Sequence, residues 1–272
     1  MTDDGGRSGG GGPGGGHPGA GHPGSAPGLP PSLAAAWGLA ERPAKGPKRG
    51  LSLEQIVAAG IRVAAADGLA AVSMARVAAE VGASTMALYR YVSAKSDLVT
   101  LMVDTALGPP PPLPESATTW RPALSHWAWA QLAAMRAQIW AARVPLSGPP
   151  ATPNQVAWLE QGLHCLRETG LTEGRKMSVI LLVSGYVRNE AIMEAQITEA
   201  VRAAGTTDQQ AMLDYNQILG LVTDGQHFPE LSRVVASGVL AQADPWDDEF
   251  VFGLDRILDG IGTLVDNLPQ PG

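Results

Sequence analysis

Apolar residues recur along this chain at helical spacing and almost nowhere in strand-like alternation. Leu53, Ile56, Val57, Gly60, Ile61 and Ala64 follow the steps i, i+3, i+4, i+7, i+8 and i+11, a single buried stripe of an amphipathic helix. Ser52 stands before the stripe and Gln55 three residues later, a capping-box pattern, and Gly68 marks the stop. Ser73 opens a second, short helix whose Met74, Val77, Ala78 and Val81 repeat the stripe before Gly82 ends it. Only Ala83 separates that glycine from Ser84, the cap of a third helix, so the connection is a tight turn that sets two helices at a steep angle. A fourth helix is expected from about Ser96 to Leu107, where Pro109, Pro110, Pro111 and Pro112 halt it.

Beyond the prolines the pattern stays helical. Helices are expected over Thr119–Arg143, from the Thr152 cap and Pro153 to Glu168, and from Thr172 to about Ser184, bending at Gly185 and continuing to Ala204. Shorter ones follow at Asp208–Thr223 and Phe228–Ser237, and a last one at Asp247–Asn267. The fold class is therefore all-α: a helix-turn-helix domain over 51–107 and an all-α second domain over 118–268. The beginning of the chain differs. Of its first 31 residues 13 are Gly and 6 are Pro, a composition that cannot repay its ordering entropy, so 1–40 is expected to be a disordered extension with a brief turn at Leu33–Trp37. His17 and His22 lie within it as incidental residues, and no metal or cofactor is expected.

Charge sharpens this division. The net charge of −7 argues against a polyanionic partner, but between Glu41 and Lys95 eight basic residues face four acidic ones, a local +4 that leaves −11 for the remainder. Phosphate attraction is thus concentrated beside the helix-turn-helix. Lys45, Lys48 and Arg49 lie in a basic, proline-stiffened arm over 41–50, suited either to reaching the DNA backbone or minor groove or to serving as a solvated linker. On the third helix Thr85, Met86 and Tyr89 fall within a roughly 100° arc, since successive residues turn by about 100°. Thr85 can hydrogen-bond a base edge and Met86 can cover a thymine methyl, while Ser84, Tyr89, Arg90, Tyr91 and Lys95 suit phosphate.

The run from Leu69 to Leu98, with Gly82, Leu88-Tyr89, Val92, Lys95 and Leu98 at these spacings, resembles the DNA-binding domain of the tetracycline-repressor (TetR/AcrR) family of bacterial regulators. The resemblance implies a homodimer that places two recognition helices in successive major grooves of a palindromic operator and releases DNA when a small molecule enters the C-terminal domain. It implies contacts from Ser73, Ala75, Thr85, Met86, Ala87, Tyr89, Tyr91 and Lys95. Ala75 and Thr85 stand where the tetracycline repressor itself has arginine and glutamine, which implies a different operator. Trp246–Ile261, with its Phe-x-Phe-Gly-Leu pattern, is similar to that subgroup's last helix. In the family this helix joins its symmetry mate. Phe250, Leu254, Ile257, Ile261 and Leu264 form a stripe that could serve a dimer interface or a core.

The effector is less legible. Trp127, Met135, Trp140, Trp158, Tyr186 and Met193 can line an apolar pocket, with His164 and Asn189 to orient a ligand, or can be packing. Cys165 next to His164 does not make a catalytic pair, because neighbouring helical residues point about 100° apart. Neither a phosphate loop nor a paired-cysteine site accompanies them, so no enzyme is expected. The lone cysteine and the absence of a long apolar run suggest a cytoplasmic protein that does not enter a membrane. The competing class is a DNA-binding or scaffolding dimer without a pocket.

Overall fold

The computed structural model describes residues 30–39, 51–146, 148–243 and 245–268. Among these residues every regular element is helical, and no helix is long and apolar enough to cross a membrane. The arm residues Lys45, Lys48 and Arg49, like His17 and His22, lie outside the described residues.

Helix α1, Pro31–Ala36, falls within the stretch expected to be disordered. Its proline start fits the first helical turn, and it buries Ser32, Leu33 and Ala34 against the DNA-binding core. Trp37, just past its end, donates its indole N–H to the Ala151 carbonyl at 2.8 Å. This short anchored segment overlaps the brief turn expected at Leu33–Trp37.

Helix α2, Leu53–Asp67, carries the anticipated capping box: Ser52 Oγ accepts from the Gln55 amide and Gln55 Oε1 accepts from the Ser52 amide. Its buried face is Ile56, Val57, Ala59, Gly60, Val63 and Ala64, slightly rotated from the expected stripe, with Leu53 and Ile61 only half-buried. Gly60 lies on this buried face. Met102 is so close that a Cβ at this position would meet its sulfur at 2.6 Å, so the helix that carries Met102 sits directly over the glycine.

Helices α3, Met74–Glu80, and α4, Thr85–Leu88, are joined through Gly82, whose φ of +64° is the left-handed conformation that a turn this tight needs. Helix α5, Lys95–Leu107, buries Leu98, Leu101 and Met102 in the same core and then ends at Gly108. This element serves both halves of the molecule.

The expected single helix over Thr119–Arg143 is two helices, α6 at Trp120–Ala137 and α7 at Ile139–Ala142. The break falls at Gln138, whose side-chain oxygen accepts from Trp140 Nε1 at 2.9 Å. Breaking the helix redirects Trp140 and Ala141 into the core formed by α2, α3 and α5. The C-terminal domain then adds α8, Pro153–Cys165, and α9, Glu173–Ala203, the latter unbroken through Gly185 for about 46 Å at 1.5 Å per residue. Helices α10, Asp208–Val222, and α11, Pro229–Ser237, contribute no buried side chain. Helix α12, Trp246–Asp266, returns to the core and begins with Asp247, Asp248 and Glu249, which suit the positive end of the helix.

The second core is built by α6, α8, α9 and α12 around Trp127, Leu132, Val183, Val187, Phe250 and Leu258. Arg136 of α6 ties two neighbours to it, pairing with Glu194 of α9 at 2.7 Å and with Asp247 of α12 at 2.8 Å.

Candidate DNA interface and effector domain

Two serine caps fix the tip of the DNA-binding domain. Ser73 Oγ accepts from the Arg76 amide at 3.1 Å and Ser84 Oγ from the Ala87 amide at 3.2 Å. Each hydroxyl keeps its proton for an external acceptor such as phosphate. Ser73, Ala75 and Ser84 are exposed, and Leu88 turns fully inward, anchoring α4 so that its opposite side faces solvent.

On that side Met86 is 73% exposed and Tyr89 48%. Together they present a thioether and a phenol on one exposed side of a capped helix, side chains that can meet a thymine methyl and a phosphate. Thr85 and Ala87 are half-buried beside it, and Arg90 and Lys95 are exposed. Tyr91 differs from the phosphate-holding role anticipated for it. It is half-buried, and its hydroxyl donates to the Leu51 carbonyl, pinning the start of α2 to the end of the recognition turn.

The basic residues also divide. Arg62 pairs with Glu80 at 3.2 Å and Arg76 with Asp67 at 3.1 Å, so their charge is partly spent within the domain. Among the described residues, Arg90 and Lys95 have no such carboxylate partner and are the cations beside α4.

In the C-terminal domain the anticipated ligand residues do not gather around one space. Trp127 is 1% exposed, stacks edge-on with Trp158 at 6.4 Å and donates to the Trp158 carbonyl at 3.0 Å. Gly162 makes room for it, since a Cβ there would meet the Trp127 ring at 2.7 Å. Trp140 belongs to the other core, for the reason given by the Gln138 break. Met135 is half-buried at the edge of the second core. His164 is exposed and contacts Arg167, while Asn189 and Met193 are exposed on α9 and bonded to each other. The helical register points these three away from Trp127.

Tyr186 is held inward. Its hydroxyl donates to the Phe250 carbonyl at 3.0 Å, its ring stacks on Phe250 at 5.4 Å, and Trp129 closes edge-on over Phe250 at 4.6 Å. Burial, with the Glu190 and Glu249 carboxylates nearby, pushes the Tyr186 phenol up to about 12. Burial also raises the Glu190 carboxyl. A separate shallow cleft, with room for about one water molecule and lined by Thr118, Thr119, Trp120, Cys165, Arg167 and Glu168 among others, includes none of the anticipated ligand residues.

The expected dimer stripe faces its own domain. Phe250, Leu254 and Ile261 are nearly fully buried, and Ile257 and Leu264 pack half-buried against the same core. A stripe at helical spacing shows that a face is covered but not by what, and here α6 and α9 cover it. The opposite face of α12 exposes Val251 and Phe252, and the outward face of α9 exposes Leu181, Leu182 and Met193.

These features agree with what the chain resembles. Residues 56–102 match the family described as bacterial regulatory proteins, tetR family, and residues 112–265 match the tetracyclin repressor-like C-terminal domain. The chain is 37% identical over 237 residues to the HTH-type transcriptional repressor DrrR1 of Streptomyces coeruleorubidus, covering 86% of each. The chain belongs to the tetR family. Its fold is shared with ActR of Streptomyces coelicolor: the apo form is 25% identical with a TM-score of 0.62, covering 78% of this chain and 96% of that one. The ActR complex with actinorhodin is 22% identical with a TM-score of 0.66, covering 79% and 99%.

As a tetR-family protein, the chain is a DNA-binding transcriptional regulator with an N-terminal helix-turn-helix and an all-α C-terminal domain. One residue of consequence escaped the sequence reading. Asp104 sits three residues after buried Leu101, so a carboxylate at a core-facing register of α5 was the available signal.

Proposed function

We propose that this chain is a one-component transcriptional repressor that binds a palindromic operator as a homodimer and lets go when a small molecule occupies its C-terminal domain. The observation that carries the reading is the tip of α4, where Met86 and Tyr89 stand exposed on a helix anchored by Ser84 and Leu88. Such a tip suits a major groove: Thr85 and Met86 read base edges, while Ser73, Ser84, Tyr89, Arg90 and Lys95 hold phosphate. The basic arm with Lys45, Lys48 and Arg49 adds sequence-independent attraction. Two copies related by a twofold axis place their α4 helices one helical turn apart, about 34 Å.

The dimer uses the outward faces of α9 and α12, with Leu181, Leu182, Val251 and Phe252, rather than the buried stripe through Phe250. Exposed apolar side chains on two neighbouring long helices support this choice, because a twofold interface needs one continuous face on each copy.

The effector is a small molecule, a reading supported by the shared fold of ActR, which holds actinorhodin. Release requires a ligand that prefers the form with misplaced recognition helices, since equal affinity for both forms shifts nothing. The test is a thermal-shift screen of hydrophobic metabolites and antibiotics, followed by operator release for each compound that binds. Compounds that raise the melting temperature and also displace DNA are expected. No shift across a broad library would favour a constitutive DNA-binding dimer without a pocket.

A further inference from the structure

Helix α8 has no cap of its own. Thr152 occupies the position in front of it, but makes no side-chain bond to the helix's first amides. Its hydroxyl instead donates to Asp104 Oδ1 of α5 at 2.6 Å. The same carboxylate oxygen accepts the amides of Asn154 and Gln155, each at 3.0 Å. These are the second and third residues of α8, whose N–H groups a helix leaves without internal partners. Pro153, the first, has no N–H to satisfy. The cap expected from Thr152 is therefore supplied from another helix, 48 residues earlier in the chain.

The seam continues. Asn154 Nδ2 donates to the Asp104 carbonyl at 3.0 Å, Trp158 Nε1 to Gly108 O at 2.9 Å and Gln161 Nε2 to Pro111 O at 2.7 Å. Residues 154, 158 and 161 lie on one face of α8, so the helix is stitched along the end of α5 and the prolines that follow. Asp104 is 6% exposed and Thr152 fully buried, which makes their bond hard for water to replace.

Position gives this contact its meaning. Leu98, Leu101 and Met102 root α5 in the core beneath the recognition helix, only two residues from Asp104. On the other side, α8 carries Gly162, against which Trp127 packs in the effector core. Three donors converging on one carboxylate oxygen can be satisfied in a narrow range of helix settings, and charge-assisted bonds of this kind are strong as well as directional. A movement of α8 thus either carries α5 with it or breaks the cap.

We propose that Asp104 is the positioning residue whose cap on α8 fixes the angle between the DNA-binding domain and the C-terminal domain, and that operator affinity depends on this angle. The proposal rests on the repressor reading above for its consequence, though not for its geometry.

The test uses the full chain with Cys165→Ser and spin labels at Ser93→Cys and Glu168→Cys, both exposed, diluted with unlabelled protein. Pulsed dipolar spectroscopy gives the interdomain distance distribution, and a duplex recovered by selection from random DNA gives affinity. Asp104→Ala should broaden or shift the distribution and weaken the duplex tenfold or more. Asp104→Asn, whose amide oxygen can accept the same bonds, should retain a narrow distribution and most of the affinity. Thr152→Val removes one of the three donors and gives a smaller change in the same direction, and it decides the matter if Asp104→Ala does not fold. An unchanged distribution in the folded variant overturns the proposal, whatever happens to stability. If the parent protein selects no duplex, the repressor reading fails, while the distances still decide the role of Asp104.

Discussion

The indole N–H of Trp158 in α8 donates to the Gly108 carbonyl at the end of α5, across 2.9 Å and fifty positions of sequence. A tryptophan anticipated as a ligand-pocket wall is thus a fastener between the C-terminal domain and the helix that roots the DNA-binding domain. Trp158→Phe deletes the donor and the pyrrole part of the ring, with some of its edge contact to Trp127. The expected cost is about 1 kcal/mol for the hydrogen bond and about as much again for lost packing, or roughly 4–8 °C in melting temperature for a chain of this size. Thermal denaturation reads it directly. A melting temperature equal to the parent's would show that the bond contributes nothing.

Gly162 faces the Trp127 ring and Ile180, with no space for a methyl group: a Cβ would lie 2.7 Å from the first and 2.8 Å from the second. Gly162→Ala should destabilise by about 1–3 kcal/mol through overpacking, despite the better helix propensity of alanine. Urea unfolding followed by tryptophan fluorescence measures this. Increased stability would mean that Trp127 is free to move.

The tyrosines of the recognition region should separate cleanly. Tyr89→Ala is expected to weaken binding to cognate and random DNA alike, whereas Thr85→Ala should mainly relax sequence preference. Tyr91→Phe loses the bond to Leu51 and should lower stability by about 1 kcal/mol while leaving the salt slope of DNA binding unchanged. Anisotropy titrations at several salt concentrations distinguish the three. A reduced salt slope for Tyr91→Phe would return that residue to the phosphate-contacting group.

Phe252 and Phe250 are two residues apart yet have opposite settings, one 61% exposed and the other 1%. Phe252→Glu should shift the protein from dimer to monomer with its helicity intact. Phe250→Glu should unfold the C-terminal domain. Sedimentation velocity and circular dichroism on both variants test the assignment, and a stable Phe252→Glu dimer would place the interface elsewhere.

Burial pushes the Cys165 thiol up to about 11. At pH 8 only about one part in a thousand is thiolate, so iodoacetamide should label the native protein far more slowly than the unfolded one. The linkage has a definite sign. The folded state holds the proton more tightly than the unfolded state, so this contribution to stability is complete below about pH 8.5, the usual thiol range, and is lost as pH rises through about 11. Equally rapid labelling of native and unfolded protein would contradict it.

Much of the fold was legible because its signals are local. Ser52 with Gln55, Ser73, Gly82 and Ser84 each act within one turn of helix, and the structure places each as the spacing suggested. The less legible features depend on distant partners. Nothing near Gln138 in sequence reveals that Trp140 belongs to the other core, and nothing near Thr152 reveals that Asp104 caps its helix. The α12 stripe was visible, but its covering surface was not, because burial inside a domain and burial against a partner impose the same periodicity. Charge had a similar limit: Arg62 and Arg76 counted toward a basic segment until their pairing with Glu80 and Asp67 was seen.

Two copies of α4 reading two half-sites at once would fix the stoichiometry of the full chain on a duplex selected from random DNA. Enrichment of an inverted repeat with half-site centres about one helical turn apart, two chains per duplex, and loss of binding when either half-site is scrambled are expected. Enrichment of a single half-site bound by one chain, indifferent to sequence one turn away, would contradict that reading.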